Sequence, residues 1–487
     1  MAPRRPSVNR GLTWFHRWAG VLLCLLFVLW FASGAILHFV SFPSLKDTER
    51  LAHGEAVELS QVAIAPSVVL TRFKDADALS LISVAGRPVY LASTGGDAPR
   101  AIFADNGQLM PPIPDTTARL IVERFSSGAV VRVDGPLDYD QWVVHQRYDR
   151  YRPFFRVKID DADGTELYVS ARTGQVVQKT TTFARAWNWC GAVMHWLYFT
   201  PLRKSWSAWD QSVWWISLIA LGTTLVGTWL GILRYLRNRQ AGRAGISPFR
   251  GWLRWHHIFG LFTSVIVLVW IFSGWLSMDH GRLFSRVVIP RERMEQYRGL
   301  PLSAVTMAAS LDQIHLLGRA SEITFYSVDG QPFITAQGGG RSEPGVRWLQ
   351  SGSIAATERI PASLLLSGVR AAWPGAQPLA QPPNGTDEMY RLAEGVTPDA
   401  KVFLANGDHA DRIFVDASTG RLLVVMNPSR RSYAWWYYAP HTFNFPGLIA
   451  RPALRTTLVL ALLAVGLVFS VICTVIGFLR LKRDLSG

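Results

Sequence analysis

Long apolar stretches alternate along this chain with polar stretches in which hydrophobic residues recur at short, strand-like spacings. Four apolar stretches, Trp14–Val40, Ser212–Tyr235, Trp255–Met278 and Leu454–Leu481, are long enough to cross a hydrocarbon layer of about 30 Å as helices. Trp and Tyr crowd their ends, where rings that prefer the membrane–water boundary belong. The first stretch also has the basic start and small-residue run (Ala32-Ser33-Gly34-Ala35) of a cleaved signal. Its apolar character continues to Val40 and it has a counterpart at mid-chain, so it reads as an uncleaved anchor. The two long polar segments, roughly 41–210 and 279–453, read as α+β modules. Helical spacing runs over Leu59–Phe73, and short strands are predicted at Leu79–Val84, Pro88–Ala92 and Ala101–Ala104, with turns at Gly86-Arg87 and Asn106-Gly107. Phe154–Ile159 and Glu166–Ser170 predict a hairpin across Asp163-Gly164. The second polar segment offers Thr324–Val328, a turn at Asp329-Gly330, then Val402–Ala405 and Arg412–Asp416, with Pro374–Gly385 as a loop.

The apolar pattern occurs twice, and the copies share histidines. A shift of 240 residues lays His16 on His256, Gly20 on Gly260, Trp30 on Trp270 and Ser33-Gly34 on Ser273-Gly274. A shift of 246 lays Thr173-Gly174 on Thr419-Gly420, Trp189 on Trp435, His195 on His441, Phe199 on Phe445 and Gly231 to Arg234 on Gly477 to Arg480. An ionisable side chain beside a membrane segment needs a partner or a task. Two repeated histidine positions therefore predict two facing pairs, His16 with His256 and His195 with His441, in a duplicated four-helix membrane protein. His38 lies 22 residues after His16 on the same helical face but has Met278 as its repeat mate; it and His257 are reserve candidates. His53, His145, His280, His315 and His409 read as surface or core residues of the external segments.

Composition and charge fit this class. Of 487 residues 49% are hydrophobic and 17% charged, with 20 Trp. Arg4, Arg5 and Arg10 precede the first span, Arg237, Arg239, Arg243 and Arg250 occupy the loop between the second and third, and Lys482 and Arg483 follow the fourth. The positive-inside rule makes these three regions cytoplasmic and the long polar segments external, periplasmic in a Gram-negative cell. The net charge of +15 is in part this topological signal and, without a nucleic-acid motif, no argument for a nucleic-acid partner.

The residues His16-Arg17-Trp18-Ala19-Gly20, His256-His257-Ile258-Phe259-Gly260, Asp416-Ala417-Ser418-Thr419-Gly420 and His441-Thr442 resemble the PepSY-associated transmembrane family, and the chain is similar to the inner-membrane ferric-siderophore reductases within it. Ser170, where that family usually has Asp, and His195-Trp196 in place of His-Thr are departures. The resemblance implies a membrane reductase holding b-type haem, about two per chain, with His16, His256, His195 and His441 as iron ligands and a ferric siderophore as partner. It also implies an arrangement of two tandem pseudo-symmetric repeats: tail 1–13, helix 14–40, PepSY-like domain 41–186, aromatic segment 187–211, helix 212–236, loop 237–253, helix 254–278, PepSY-like domain 279–430, aromatic segment 431–453, helix 454–481 and tail 482–487. Bis-histidine haem needs two neutral imidazoles facing each other, each held by its second nitrogen. The two pairs lie near opposite ends of the spans, far apart for rapid electron transfer, which requires the segments around His195 and His441 to dip into the bilayer or the macrocycles to extend toward each other.

Other chemistry has no motif. Cys24, Cys190 and Cys473 are isolated, without Cys-x-x-Cys-His or iron–sulfur spacing. Gly338-Gly339-Gly340 lacks the strand–helix context of a dinucleotide site, and no Walker, His-Glu-x-x-His or serine-elbow motif occurs. Electrons would then come from a quinol or a separate cytoplasmic reductase. Arg17, Arg234 and Arg254 inside, and Arg203, Lys204, Arg430 and Arg431 outside, are candidates to pair with haem propionates or plain boundary charges. The cluster Arg147 to Arg152 reads either as a receiver of an anionic chelate or as a solvated strand end. Two rival functions remain at this level: a permease without redox activity, and a membrane-anchored sensor or protease regulator.

Overall fold

The structure, a computed structural model, describes residues 8–284, 286, 288–340, 345–349, 356–357, 359–379, 400–405 and 411–486. Arg4, Arg5, His409 and the second half of the predicted Pro374–Gly385 loop lie outside the described residues. Four helices form one bundle: α1 (Val8–Phe39), α2 (Trp206–Gln240), α3 (Gly251–Ser277) and α4 (Pro452–Leu485). All four are long and apolar enough to cross a membrane. In hydrocarbon only a helix satisfies every backbone N–H and C=O within its own segment, so these stretches have no alternative fold there. The helices outrun the predicted spans because good helix formers continue past the apolar run, as with Arg237 and Arg239 in α2. Each helix packs against two others, giving the cyclic order α1–α2–α3–α4. Thus α1 and α3, which carry His16 and His256, stand diagonally across the centre.

Outside the bundle the described strands make three antiparallel sheets. Strands β1 (Ala78–Val84), β2 (Arg87–Ser93) and β3 (Arg100–Phe103) belong to the first polar segment. So do β4 (Ala129–Leu137), β5 (Phe154–Asp160), β6 (Glu166–Ser170) and β7 (Val176–Thr180), which form a sheet of their own. The second segment supplies β8 (Glu322–Val328), β9 (Gln331–Gln337), β10 (Gly345–Trp348) and β11 (Ala356–Thr357). It then forms a second four-stranded sheet from β12 (Gln377–Pro378), β13 (Lys401–Ala405), β14 (Asp411–Val415) and β15 (Leu422–Met426). The predicted hairpin at Asp163-Gly164 is present as β5–β6. The turn after β1 falls one residue earlier than expected, on Ala85-Gly86, both with positive φ.

From the sequence the two polar segments are expected to be separate modules. Instead β1 pairs with β8, Ser80 opposite Thr324 and Ile82 opposite Glu322, so one seven-stranded sheet in the order β11-β10-β9-β8-β1-β2-β3 runs through both. Its core mixes Leu81, Tyr90 and Ile102 with Ile314, Ile323, Phe325 and Ile334. Burying each such side chain contributes about 1.5–3 kcal/mol, and both segments supply side chains to this one core. Arg50 pairs with Glu322 across the join at 2.7 Å. The glycine run belongs to the join as well: a Cβ at Gly338 would fall 2.2 Å from the Leu51 carbonyl oxygen. The predicted helix Leu59–Phe73 is a correction. A single 3₁₀ turn covers Leu59–Gln61 and a short helix covers Pro66–Arg72, because Pro66 cannot donate inside a helix and starts a new one.

Candidate functional site

Two histidine pairs face each other inside the bundle. The pair nearer the sheets, His195 and His441, is called proximal, and the pair at the opposite end, His16 and His256, distal. Neither proximal histidine lies on a spanning helix. Each ends a segment that enters the bundle through a π-helical turn, Trp189–Val193 before His195 and Ala434–Tyr438 before His441. Two residues beyond each histidine the chain reverses through a left-handed residue, Leu197 (φ 53°) and Phe443 (φ 56°). Side chains of this size rarely adopt φ > 0, and π turns and such strain gather at functional sites.

The hydrogen bonds around the proximal imidazoles match between the two halves, while only the His441 ring packs on a tyrosine, Tyr437. Ser33 Oγ lies 2.9 Å from His195 Nδ1, and Ser273 Oγ lies 3.0 Å from His441 Nδ1. Each hydroxyl already donates its one hydrogen to its own helix, Ser33 to Leu29 O and Ser273 to Val269 O. Each must therefore accept from Nδ1–H, which leaves Nε2 as a bare lone pair. The indole N–H of Trp30 donates to the His195 carbonyl and that of Trp270 to the His441 carbonyl, both at 3.1 Å. Gly34 and Gly274 complete the cradle: a Cβ on Gly274 would come within 3.2 Å of the His441 ring. The ring centres of His195 and His441 are 6.2 Å apart.

The distal rings are 6.1 Å apart, centre to centre. His16 Nδ1 lies 3.0 Å from the Thr223 carbonyl, an acceptor only, so this nitrogen also carries the hydrogen and Nε2 is free. The ring rests on Gly227, where a Cβ would fall 2.4 Å from Cε1. His256 is held differently, with Nδ1 3.4 Å from Cys473 Sγ and its ring stacked on Phe469 at 5.4 Å. Ser33 follows His16 by seventeen residues on α1, so the two pairs are separated by about 26 Å along the bundle. The proximal pair sits six residues inside the end of α1, about 9 Å.

The spacing within each pair has a simple meaning. A metal–imidazole bond is about 2 Å and the ring centre lies ~1.1 Å further, so two imidazoles on opposite sides of one metal stand ~6.2 Å apart. Among the described residues no group of three or more His, Cys, Asp or Glu gathers, so these are two-donor sites. Two neutral nitrogens suit a metal whose other ligands come from a macrocycle, and they are too few for a structural zinc. Gly20, one turn from His16 toward the bundle centre, faces open space, with nothing within 4 Å of a Cβ built there. The donors, their tautomers and this open flank fit a bis-histidine haem.

The profile of the PepSY-associated TM region matches residues 13–313. The chain belongs to that family. The match takes in His16, His195 and His256 and stops before His441. No curated protein matches the chain.

The other histidines of this PepSY-associated chain, among the described residues, are engaged elsewhere. His38 Nε2 meets Thr456 Oγ1 at 2.9 Å, and His257 Nε2 meets the Gly231 carbonyl at 2.9 Å, so neither reserve candidate joins a pair. His53 binds the Glu49 carbonyl and His315 the Val62 carbonyl. Burial, with Arg203 and Arg147 nearby, pushes His145 down to about 4. His280 is paired with Asp210, a partnership the sequence did not suggest. Arg17, Arg234, Arg254 and Lys204 are exposed. Arg203 is wholly buried, enclosed by the Tyr198, Trp206 and Trp209 rings and bonded to Gln146. Arg430 lies over Tyr433. The Arg147–Arg152 cluster forms a 3₁₀ turn rather than a solvated strand end, with Arg152 buried against the Val143 carbonyl and Asp149.

Proposed function

We propose that the chain is an inner-membrane b-type di-haem reductase of two tandem pseudo-symmetric repeats, with PepSY-like regions in the periplasm and both termini in the cytoplasm. It passes electrons through the bundle to a ferric siderophore. The observation that carries this reading is the pair of ring separations, 6.1 and 6.2 Å, each the span of two imidazoles on one metal. His16 and His256 would hold one haem, and His195 and His441 the other. Haem supplies a one-electron change at iron. The protein's part is to present Nε2, and it does so by occupying Nδ1: Ser33 and Ser273 at the proximal pair, the Thr223 carbonyl at His16. Such partners fix ring orientation and raise ligand basicity. The helices around the pairs keep water out, and the sheets offer the surface on which a chelate docks. One electron is enough for release, because hard siderophore oxygens hold Fe(III) far better than Fe(II).

The test is optical. Purified protein should show a low-spin b-type spectrum with about two haems per chain, and the dithionite-reduced form should be reoxidised by ferric siderophore. Uptake by proteoliposomes without redox change would favour a permease, and neither activity a sensor.

A further inference from the structure

At the sheet-side rim of the bundle, between α2 and α3, stands a carboxylate–imidazole dyad. His280 Nδ1 lies 2.7 Å from Asp210 Oδ2. A carboxylate accepts only, so Nδ1 carries the hydrogen, while Nε2 faces the side-chain nitrogen of Gln211 at 3.5 Å and presents a lone pair. The Trp214 ring lies 4.8 Å from the imidazole and 5.8 Å from the ring of Trp275. The Trp275 indole nitrogen is buried with no hydrogen-bond partner among the described residues. A buried donor left unpaired is costly, which marks a place where a ligand acceptor gains. The neighbouring Asp279 is occupied in capping the Phe284 amide.

The other half of the bundle supplies a control. Thr456 stands at the repeat position of Asp210, and there His38 reaches across from the end of α1 to α4, as His280 reaches from the turn after α3 to α2. That contact ends on a hydroxyl. Only one of two similarly placed histidines has a carboxylate behind it, so the dyad is not needed to join helices at this rim. It lies seven residues beyond Ser273, the partner of His441, on the order of 10 Å away along the chain.

We infer that His280, Asp210, Trp214 and Trp275 form the site at which a membrane hydroquinone delivers electrons to the proximal pair. This inference rests on the proposed redox role of that pair and adds the donor. A hydroquinone is an apolar ring with two hydroxyls that dissolves in the bilayer. Trp214 provides an aromatic wall, Nε2 of His280 accepts a hydroxyl proton, and the Trp275 N–H meets an oxygen of the ring. Oxidation of one hydroquinone to quinone breaks two O–H bonds and releases two electrons and two protons. Two ferric chelates, each reduced from Fe(III) to Fe(II), take up the two electrons, which a haem held by His195 and His441 would relay one at a time. The first proton passes to Nε2, with Asp210 stabilising the imidazolium through Nδ1, and leaves to water on the sheet side; the second follows the same route. The distal pair is off this route and serves electrons that arrive from the opposite face.

The test uses the full haem-loaded chain and a soluble naphthohydroquinone. Wild type should be reduced by it. Asp210→Asn and His280→Gln should lower that rate on the order of 100-fold, the usual worth of a placed base, with unchanged spectra and unchanged reduction by dithionite. Asp210→Glu should restore much of the rate. Variants that are reduced as fast as wild type, or a dithionite-reducible wild type that ignores hydroquinone, would overturn the proposal. A second arm photolabels the haem-free chain with an azidoquinone. Label should fall within residues 206–215 and 272–282, and label elsewhere overturns the site. If the chain never holds haem, the proposed function fails while the labelling arm still decides whether this is a quinone site.

Discussion

The proximal and distal pairs differ in how alike their two halves are. Around the proximal rings the halves agree in every hydrogen-bonding partner, Ser33 with Ser273 and Trp30 with Trp270, and in Gly34 with Gly274, and they differ where Tyr437 packs on His441. Around the distal rings they have diverged. The carbonyl of Thr223 and the bare backbone of Gly227 hold His16, whereas the matching positions beside His256 are Phe469 and Cys473. Only the ring spacing is common to both ends. Histidine spacing therefore sets what a pair can bind, and the groups on Nδ1 set how firmly, so the proximal histidines are held equally at Nδ1 and the distal ones unequally.

The largest effect expected from this contrast is at Gly227. Gly227→Leu places a Cβ where the His16 ring lies, so the ring must leave. The distal spectral component should vanish and the proximal one persist; equal loss of both would break the distinction between the ends. Next come the paired serines. Ser33→Ala and Ser273→Ala should each weaken proximal haem retention by about 10–100-fold, the usual cost of losing such a partner, and by the same factor, measured as haem transfer to apomyoglobin. Unequal factors would deny the equality of the two halves. The smallest effect is at Cys473. A thiol 3.4 Å from Nδ1 is a weak partner, so Cys473→Ala should change distal haem retention by less than either serine variant changes the proximal.

The sequence reveals these regions unevenly. Four spans are legible because unbroken apolar length has one outcome in a bilayer, and four histidines are legible because the chain repeats them. Trp30, Ser33 and Gly34 are visible only as landmarks of the repeat, and their task appears once the folded segments bring His195 to α1. The Thr223 partner is a backbone carbonyl, which every residue has, so no side-chain pattern announces it. Asp210 on α2 and His280 in the turn after α3 are 70 residues apart, and β1 and β8 are separated by two whole spans. Local alternation predicts that a strand exists and which face is apolar, but its neighbour is chosen by the path of the chain. That is why two modules are expected and a shared sheet is found.

The central claim is that each pair holds one haem, and the optical and EPR spectra of the four single His→Ala variants test it most directly. His16→Ala and His256→Ala should remove the same component and leave the other whole, and His195→Ala and His441→Ala should together define the second. A haem lost on His38→Ala but kept in His195→Ala or His441→Ala would contradict the account, as would four variants that all lose the same component.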